Sequence, residues 1–594
     1  MFTSLTPVRG PAVRVATFGL HREAVTRAGA WQAVLVALLL GAAWLVTDHF
    51  PPWTGFHAEL PAVLAGGVAV MYAVATSKGR VSPFPAVLLL LAAVPWIQRA
   101  TGLVLYNGDA ALASSYLAGT ALCFWAGEST SASVRQRMLL ALAWATLVVS
   151  ILSTGIGLYQ WFGLEGLEIW GARVAQGSRT AGNLAQSNHL ATLLAFGIAS
   201  AVWLRARERL GDGTTFLTVA FLLLGLGMTQ SRTVWLGFLT MAVWMALRPA
   251  QQLRPLRLKP GPVLWLAAWY ALVLWAVVVL PEPLLLTESV PGTAARFASS
   301  SGRQVMWASW ARAIEMSPWV GHGWQQGHLA QGVAAVSALA YAYSGYAHSV
   351  VLDVLAWNGL PLGITILAAA TWWYVRSGLR AEGPDQWLRF AVLTVFGTHA
   401  LLEYPHAYAY FLVPVALLAG QMVGDGPAVG RVPMPRWLLG TIALGCLAFA
   451  AATVHDYLLI EEDVRVLRAQ KLRIGGVRTS EAPRDIVVLD QMQALMRALR
   501  VDAHADMAPG QLDELVRVAH RFPMRHLLQE SAAALALNGR AAQAREEMQR
   551  LYGMYGKAGY ALSLASLKEQ AARTGPALRG FVEAIEADGP PPAH

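Results

Sequence analysis

Long apolar stretches, separated by short polar segments, run through the first three quarters of the chain. A stretch of about 20 uncharged residues matches the roughly 30 Å hydrocarbon core of a bilayer, so each is a candidate membrane-spanning helix. Thirteen candidates lie at 30–47, 60–77, 84–98, 109–127, 138–161, 188–204, 215–229, 232–247, 262–280, 349–375, 388–403, 405–423 and 437–455. The pattern predicts an all-α, polytopic membrane protein with about 12–13 transmembrane helices.

The lysine and arginine residues between these stretches indicate the orientation. With the N-terminus inside, the predicted inner loops carry 20 of them and the predicted outer loops only seven, counted up to residue 436. Such a bias is typical of the cytoplasmic side. The predicted organisation is a cytoplasmic segment 1–29, helices one to nine in 30–281, a large outer loop 282–347, and helices ten to thirteen in 348–455.

The chain changes character near residue 456, where charged, helix-forming sequence replaces the apolar stretches. Within this tail, 456–594, apolar residues recur at helical spacing on both sides of Asn538 and Gly539. Two helices joined at that turn resemble one tetratricopeptide unit, so we predict a C-terminal helical domain. The domain lies on the outer side if thirteen helices cross the membrane, and on the inner side if twelve do.

Composition and charge exclude several classes of protein. The net charge is +10, but the basic residues are spread over short inner loops instead of one face, so we expect no nucleic-acid partner. The two cysteines, Cys123 and Cys446, lie in apolar stretches without the spacing of a zinc site. The outer loops contain no acidic metal-binding cluster, and we expect the chemistry to need no metal and no other cofactor.

One histidine, His348, stands at the outer end of the tenth predicted helix, ahead of a Gly-Leu-Pro-Leu-Gly break. In a helix it would share a stripe with Leu352, Leu355 and Gly359. The positive end of the helix dipole would favour the neutral, proton-accepting imidazole at that position. The sequence therefore offers His348 either as a general base or as an interfacial residue that anchors a helix end.

Three arginines on the outer side break the charge bias. Arg232 falls between two spans that are almost contiguous, so its guanidinium is expected at membrane depth near the outer surface. Arg303 and Arg312 belong to the stretch 299–326, whose spacing of tryptophans predicts an amphipathic helix on the outer surface. Arg232 either binds a lipid-linked phosphate or extends toward the aqueous interface. Arg303 and Arg312 either contact the substrate or form the solvated face of their helix.

Two further polar clusters lie at the outer ends of predicted helices. The first contains Asn183, Gln186, Asn188 and His189. These groups could hydrogen-bond a sugar or cap the helix that follows. The second is Glu403 with Tyr404. A carboxylate there could orient a histidine, pair with an arginine, or anchor a helix end.

The order of these motifs resembles a known family. A late outer loop with S-G-R-x-x-x-W and P-W-V-G-H-G-W is followed by A-H-x-x-x-L-x-x-L-x-x-x-G-L-P-L-G, as in the O-antigen ligase and polymerase superfamily. Within it, G-N-L-A-Q-S-N-H-L-A, L-L-E-Y-P-H-A-Y-A-Y-F and a helical C-terminal extension resemble the PglL-type bacterial protein O-oligosaccharyltransferases. The resemblance extends from about residue 170 to 580.

The resemblance implies a multi-pass protein of the bacterial inner membrane whose active site faces the periplasm. It implies transfer of a preassembled glycan from undecaprenyl pyrophosphate to hydroxyls of an acceptor protein such as a pilin, with membrane lipid as surroundings. His348 matches the essential loop histidine of the family, and Arg232 and Arg303 match its arginines. The expected mechanism is inverting and metal-independent: the histidine takes the acceptor proton and the arginines bind the pyrophosphate.

Three alternatives remain open at this stage. An O-antigen ligase would attach the glycan to lipid A core, with the same histidine and arginines but less need of the C-terminal domain. An O-antigen polymerase would use a second lipid-linked glycan as acceptor. A transporter would place charged groups along a path at the bilayer centre, whereas the unusual polar residues of this chain gather at the outer ends of helices.

Overall fold

The computed structural model describes residues 12–164, 166, 170–172, 179–280, 301–337, 344–426, 430–472, 474 and 485–589. Parts of all five predicted segments therefore lie outside the described residues, and the longest such stretches are at the start of 1–29, at the start of the loop 282–347 and within the tail 456–594. The described chain is α-helical, apart from one two-residue antiparallel ribbon formed by β1 (Arg80–Val81) and β2 (Val432–Pro433). The predicted fold class is confirmed.

A helix stands at each of the thirteen predicted spans. The helices of the membrane part are α1 (Ala12–Leu45), α2 (Phe56–Thr76), α3 (Pro83–Leu91), α4 (Val94–Ala100), α5 (Asn107–Ser129), α6 (Ala132–Trp161), α7 (Ser187–Ala206), α8 (Asp212–Thr229), α9 (Thr233–Ala246), the short α10 (Ala250–Leu253), α11 (Pro260–Val279), α12 (Ser301–Met316), α13 (Gly327–Ala335), α14 (Val350–Arg380), α15 (Gly383–Leu402), α16 (Ala409–Gly424) and α17 (Arg436–Lys471). Ten helical segments within the described residues are long and apolar enough to cross a membrane, with α3 and α4 counted together as one. Two more apolar helices, α9 and α16, are shorter.

Some boundaries differ from the predicted ones. The third span is broken into α3 and α4, and its 18 residues are covered only when the two are taken together. The twelfth span begins at Ala409 instead of residue 405, because Pro405–Ala407 forms a 3₁₀ turn. The helix of the eleventh span starts earlier than predicted, at Gly383.

The predicted break within the tenth span is present at Gly359, which has φ 73° and divides α14 in two. The Pro-Trp-Val-Gly-His-Gly-Trp turn packs against this break through backbone hydrogen bonds. The amide of His322 donates to the carbonyl of Ala356 at 2.8 Å, and the amide of Leu360 donates to the carbonyl of Pro318 at 2.7 Å. Two motifs that are separate in the sequence therefore form one brace.

Gly359→Ala tests this brace. A β-carbon at Gly359 would lie 2.5 Å from the carbonyl carbon of Trp319, and its φ and ψ are adopted almost only by glycine. We expect a loss of about 1–3 kcal/mol in the free energy of unfolding, measured by thermal unfolding of the detergent-solubilised protein. Gly445→Ala is the control, since it is helical and a β-carbon there meets nothing within 4 Å. Equal stability of the two variants would contradict the account.

Ion pairs collect at the end of the bundle opposite the large loop. Asp425, just after α16, pairs with Arg135 at 2.8 Å and with the buried Arg389. At the same level, the ribbon of β1 and β2 pairs the segment between α2 and α3 with the segment between α16 and α17. Two arginines assigned to different inner loops, Arg135 and Arg389, thus lie at the same end of the bundle.

Over the described residues 485–589, the tail forms five helices: α18 (Asp490–Ala498), α19 (Pro509–Arg521), α20 (Arg525–Leu537), α21 (Ala541–Thr574) and α22 (Pro576–Asp588). The predicted pair, α20 and α21, is joined at Asn538 and Gly539, and Gly539 has the left-handed φ of 77°. The tail packs on the start of α5: Asp490 accepts from the amide of Gly108 at 2.7 Å, and Arg521 binds both oxygens of Asp109 at 2.7 and 2.8 Å. Arg550 of α21 also donates to the carbonyl of Gly332 in α13 at 3.2 Å, so the tail lies at the same end of the bundle as the loop that leads into α14.

Candidate active site

His348 lies in the loop before α14, not in its first turn as predicted. The helix begins at Val350 with Ser349 as N-cap, and His348 has a left-handed φ of 52°. Its neighbour Ala347 is fixed from both sides: the amide donates to Oδ1 of the fully buried Asp353 at 2.7 Å, and the carbonyl accepts from the indole of Trp307 at 3.0 Å. The stripe predicted for His348 along α14 is therefore wrong, because the residue precedes the helix.

Glu403 is the centre of the polar network around His348. It is the C-cap residue just beyond α15 and is only 2% exposed. Its Oε1 accepts from Nδ2 of Asn188 at 2.7 Å and from the guanidinium of Arg303, while its Oε2 accepts from Nδ1 of His348. One carboxylate thus joins α7, α12 and the loop of His348, three elements far apart in the sequence.

The charge of this carboxylate is set by its partners. Burial favours the neutral acid, but the hydrogen bond from His348 and the positive charge of Arg303 outweigh it, so the pKa of Glu403 is lowered from 4.5. Glu403 is therefore ionised at neutral pH. Because an ionised carboxylate only accepts, His348 must carry its proton on Nδ1, which leaves Nε2 as the second ring nitrogen available for chemistry.

A pH dependence of stability follows from the lowered pKa. A carboxylate with a lowered pKa stabilises the folded state above its unfolded value of 4.5, and this contribution is lost as the pH falls through the folded value. We expect the difference in melting temperature between the wild type and Glu403→Gln to be constant above about pH 5 and to shrink at lower pH. Thermal unfolding between pH 3 and 7 measures it, and a difference that grows on acidification would contradict the lowered pKa.

Aromatic rings line the other side of His348. The ring of Tyr404 meets the imidazole edge to face, with centroids 4.7 Å apart, and stacks on Tyr346 at 4.9 Å. Burial and then the adjacent carboxylate Glu403 raise the pKa of Tyr404, so its hydroxyl stays protonated and can donate a hydrogen bond. The side chain of His348 is 25% exposed, so the imidazole is accessible from outside.

The network continues from Asn188 toward Arg232. Oδ1 of Asn188 accepts from the hydroxyl of Ser231 at 2.8 Å, and both side chains are buried. Arg232 is the next residue, the N-cap of α9, and its side chain is exposed. The backbone of Arg232 is thus anchored to the network through Ser231, although its guanidinium is not part of the bonds around Glu403.

The other three predicted residues lie outside this network. The amide of Asn183 is occupied by backbone groups: Nδ2 donates to the carbonyls of Leu45 and Trp170, and Oδ1 accepts from the amide of Ala172. Gln186 is the N-cap of α7. Arg312 is exposed and pairs with Glu315 one turn along α12. We therefore do not include these three in the proposed site.

Several residues of the site were missed from the sequence. Ser231 and Asp353 are short polar residues inside apolar segments, a signal that could have identified them. Two buried histidines, the predicted His189 and the unpredicted His399, lie beneath the network, with His189 2.9 Å from the hydroxyl of Tyr410 and His399 2.7 Å from that of Thr192. The polar contacts therefore extend from the outer end of the bundle into its interior.

The side chains of the network around Glu403 are one carboxylate, one guanidinium, one amide and one imidazole. Arginine and the asparagine side-chain nitrogen are hydrogen-bond donors and not metal ligands. Within the described residues, the one cluster of three groups that could hold a metal ion is Asp48, His57 and Glu461, and none of these bonds to Glu403. The arrangement around His348 is suited to taking a proton and to binding an anion.

Three protein families match the chain. The C-terminal region of the virulence factor membrane-bound polymerase family matches residues 387–569, the O-antigen ligase family matches 217–367, and the protein glycosylation ligase family matches 181–204. The network is spread over all three, since Glu403 lies in the first range, Arg303 and His348 in the second, and Asn188 in the third.

Two relatives from Acinetobacter baylyi are similar to the chain. A general O-oligosaccharyltransferase is 26% identical over 544 residues, which is 88% of this chain and 92% of the relative. A ComP-specific O-oligosaccharyltransferase is 23% identical over 390 residues, which is 64% of this chain and 69% of the relative. Because the first alignment covers nearly the whole chain, the similarity is not limited to the membrane helices.

Proposed function

From its confirmed resemblance to the O-antigen ligase and protein glycosylation ligase families, we propose that this membrane glycosyltransferase is a protein O-oligosaccharyltransferase. It transfers a preassembled glycan from undecaprenyl pyrophosphate to serine or threonine hydroxyls of periplasmic proteins, pilins among them. The observation that carries the proposal is the network of Glu403, which brings a histidine and an arginine from separate elements to one carboxylate. The similarity to two O-oligosaccharyltransferases supports a protein as the acceptor.

His348 is the proposed general base. The acceptor hydroxyl gives its proton to Nε2 of His348 as its oxygen attacks the anomeric carbon of the first sugar, and the bond from that carbon to the pyrophosphate breaks. Attack opposite the leaving group inverts the anomeric configuration. The imidazolium that forms is stabilised by Glu403, which already accepts from Nδ1, as a carboxylate next to a catalytic histidine does in other hydrolytic and transfer enzymes.

The arginines are the proposed electrophilic partners of the leaving group. Negative charge grows on the pyrophosphate as the glycosidic bond breaks, and guanidinium donors placed beside it stabilise that charge without a metal ion. Arg303 uses one nitrogen for Glu403, and its side chain is 39% exposed, so its other donors can reach a ligand. Arg232 is exposed at the start of α9, where it can bind the second phosphate.

The membrane orientation follows from the same reasoning. The donor glycan is presented on the periplasmic side, so the end of the bundle with His348 and the C-terminal helices faces the periplasm, in the bacterial inner membrane. The arginine-rich opposite end then lies in the cytoplasm, in agreement with the positive-inside rule. The thirteen helices at the predicted spans and the position of the tail at the His348 end support this arrangement.

An O-antigen ligase is the second candidate, favoured by the family match over residues 217–367. Its acceptor would be lipid A core, and the same residues would act on the donor. The match of the polymerase family over 387–569 leaves extension of the glycan as a further alternative. The acceptor is what separates the three.

Expression in a host that lacks its own ligase but makes a lipid-linked glycan tests the proposal. We expect the sugar on serine and threonine residues of periplasmic proteins, identified by mass spectrometry of glycopeptides. The empty vector is the control for background glycosylation. Sugar found only on lipid A core, or only as longer lipid-linked polymer, would replace the proposed acceptor with one of the alternatives.

A further inference from the structure

Three metal-ligating side chains converge at the outer end of the bundle, in a cluster that the proposed reaction does not use. Asp48 lies in the segment between α1 and α2, His57 in the first turn of α2, and Glu461 in the last part of α17. Nε2 of His57 is 3.4 Å from Oδ2 of Asp48 and 3.2 Å from Oε1 of Glu461. All three ligand atoms lie within 4.8 Å of one another.

The two distances from Nε2 of His57 suit ligands of a common ion. Ligand atoms about 2.0–2.2 Å from a tetrahedral Zn²⁺ lie roughly 3.3–3.6 Å apart. Hydrogen bonding alone does not satisfy this arrangement. Nε2 of His57 carries at most one proton, and it can donate that proton well to only one of the two carboxylate oxygens that face it. A cation shared by all three groups satisfies both carboxylates at once.

The surrounding contacts hold the ligands in place. The buried Tyr457 donates its hydroxyl to Oε1 of Glu461 at 3.2 Å, and its ring stacks at 3.7 Å on Phe56, the residue before His57. Oδ1 of Asp48 accepts from the amide of Phe50 at 3.3 Å, and Oδ2 faces His57. Such outer contacts orient ligating carboxylates. The three side chains are 31–45% exposed, so an ion can enter from water.

We propose that Asp48, His57 and Glu461 bind one divalent cation of the Zn²⁺ type, with water completing the coordination. The ion fastens the segment between α1 and α2 to α17, the helix that leads into the C-terminal helices. It is a structural site, and it does not depend on the proposed function. A carboxylate-rich set with one imidazole also accepts Mn²⁺, so the selectivity between the two is part of the measurement.

Zn²⁺ titration of the full chain tests the proposal. The protein, carrying a purification tag without histidines, is solubilised in detergent, stripped with a chelator and titrated by calorimetry at pH 7.5. We expect one Zn²⁺ per chain, a rise in melting temperature with Zn²⁺, and an affinity at least about 10-fold weaker in His57→Gln. Titration of Mn²⁺ alone in the same buffer measures selectivity, and binding of Mn²⁺ in preference to Zn²⁺ would overturn the assignment of the ion.

The matched control is His455→Gln. His455 lies on the same helix, and its Nδ1 is 3.2 Å from Asp456, but it faces one carboxylate instead of two. Binding should be unchanged in this variant. The absence of a Zn²⁺ site in the wild type, or wild-type affinity in His57→Gln, would overturn the proposal without reference to activity. A melting temperature that does not change with Zn²⁺ but rises on acidification would mean that a proton, not a metal ion, joins the two carboxylates. That result would also overturn the proposal.

Hydrogen exchange gives a second readout that locates the ion. Zn²⁺ should slow amide exchange in peptides covering 46–57 and 456–466, and leave the peptide around His348 unchanged. Slowing of the same size in His57→Gln would show that Zn²⁺ acts elsewhere and would contradict the site.

Discussion

His348→Ala is expected to reduce glycan transfer about 10²- to 10⁴-fold, the range by which a positioned general base accelerates proton transfer. The variant loses the imidazole that Glu403 orients through Oε2. It keeps Arg303 and Asn188 on the same carboxylate, so the donor site should persist. The rate of glycopeptide formation in membranes, normalised to the amount of transferase, measures the loss.

The control is His504→Ala, since His504 is an exposed histidine of the C-terminal tail. Both variants should reach the membrane in wild-type amounts, and His504→Ala should keep wild-type activity. Binding of the lipid-linked donor should also be retained by His348→Ala. A rate for His348→Ala close to that of the control would end the assignment of the base.

Glu403→Ala is expected to have the second largest effect, a loss of roughly 10²-fold or more in the rate of transfer. Without the carboxylate, neither the tautomer nor the direction of His348 is fixed, and the buried amide of Asn188 loses its acceptor. Glu403→Gln keeps the size of the side chain but removes its charge. Compared with Glu403→Ala, this variant should be closer to the wild type in stability but not in activity, because an amide cannot stabilise the imidazolium.

Combining Glu403→Gln with Arg303→Ala distinguishes a shared site from two independent ones. Residues that contact the same partner show non-additive effects, so the double variant should lose less than the product of the two single losses. The exposed Arg312→Ala, on the same helix as Arg303, serves as the control and should be additive with Glu403→Gln. Strict additivity for Arg303 as well would mean that the bond between Arg303 and Glu403 has no role in transfer.

Much of the fold could be predicted from hydrophobicity alone. The apolar stretches located a helix at every predicted span, because backbone groups in a bilayer must be hydrogen-bonded within the segment. The turn at Asn538 and Gly539 was predicted as well, since glycine adopts the left-handed conformation at low cost. Broken helices were harder to predict, because α3 and α4 together read as one continuous apolar stretch.

The site was predictable in its members but not in its connections. The sequence indicates His348, Asn188 and Glu403 as polar residues at the ends of separate spans, and Arg303 as an arginine of the large loop. One carboxylate joins them. Which partner Glu403 would take could not be derived, because the pairing depends on how the helices pack. Position in a helix was misleading for His348, whose left-handed backbone depends on Asp353 six residues beyond Ala347.

Asn183 illustrates the opposite case. It is a buried amide next to the site in sequence, but its bonds secure the chain near the ends of α1 and the loop before α7. A polar side chain at the end of a helix can hydrogen-bond backbone groups instead of a ligand. Only the positions of its partners distinguish these two roles. Arg312 is similar, because its helix presents it to the exposed side.

The most direct test of the account uses purified components. The wild-type protein and His348→Ala are incubated with a glycan on undecaprenyl pyrophosphate and an extract of periplasmic proteins, and both products are quantified by mass spectrometry. The account predicts glycan on serine or threonine, with one undecaprenyl pyrophosphate released for each glycan transferred, and a rate about 10²- to 10⁴-fold lower for both products with the variant. Glycan transfer to protein at an undiminished rate by His348→Ala would contradict it.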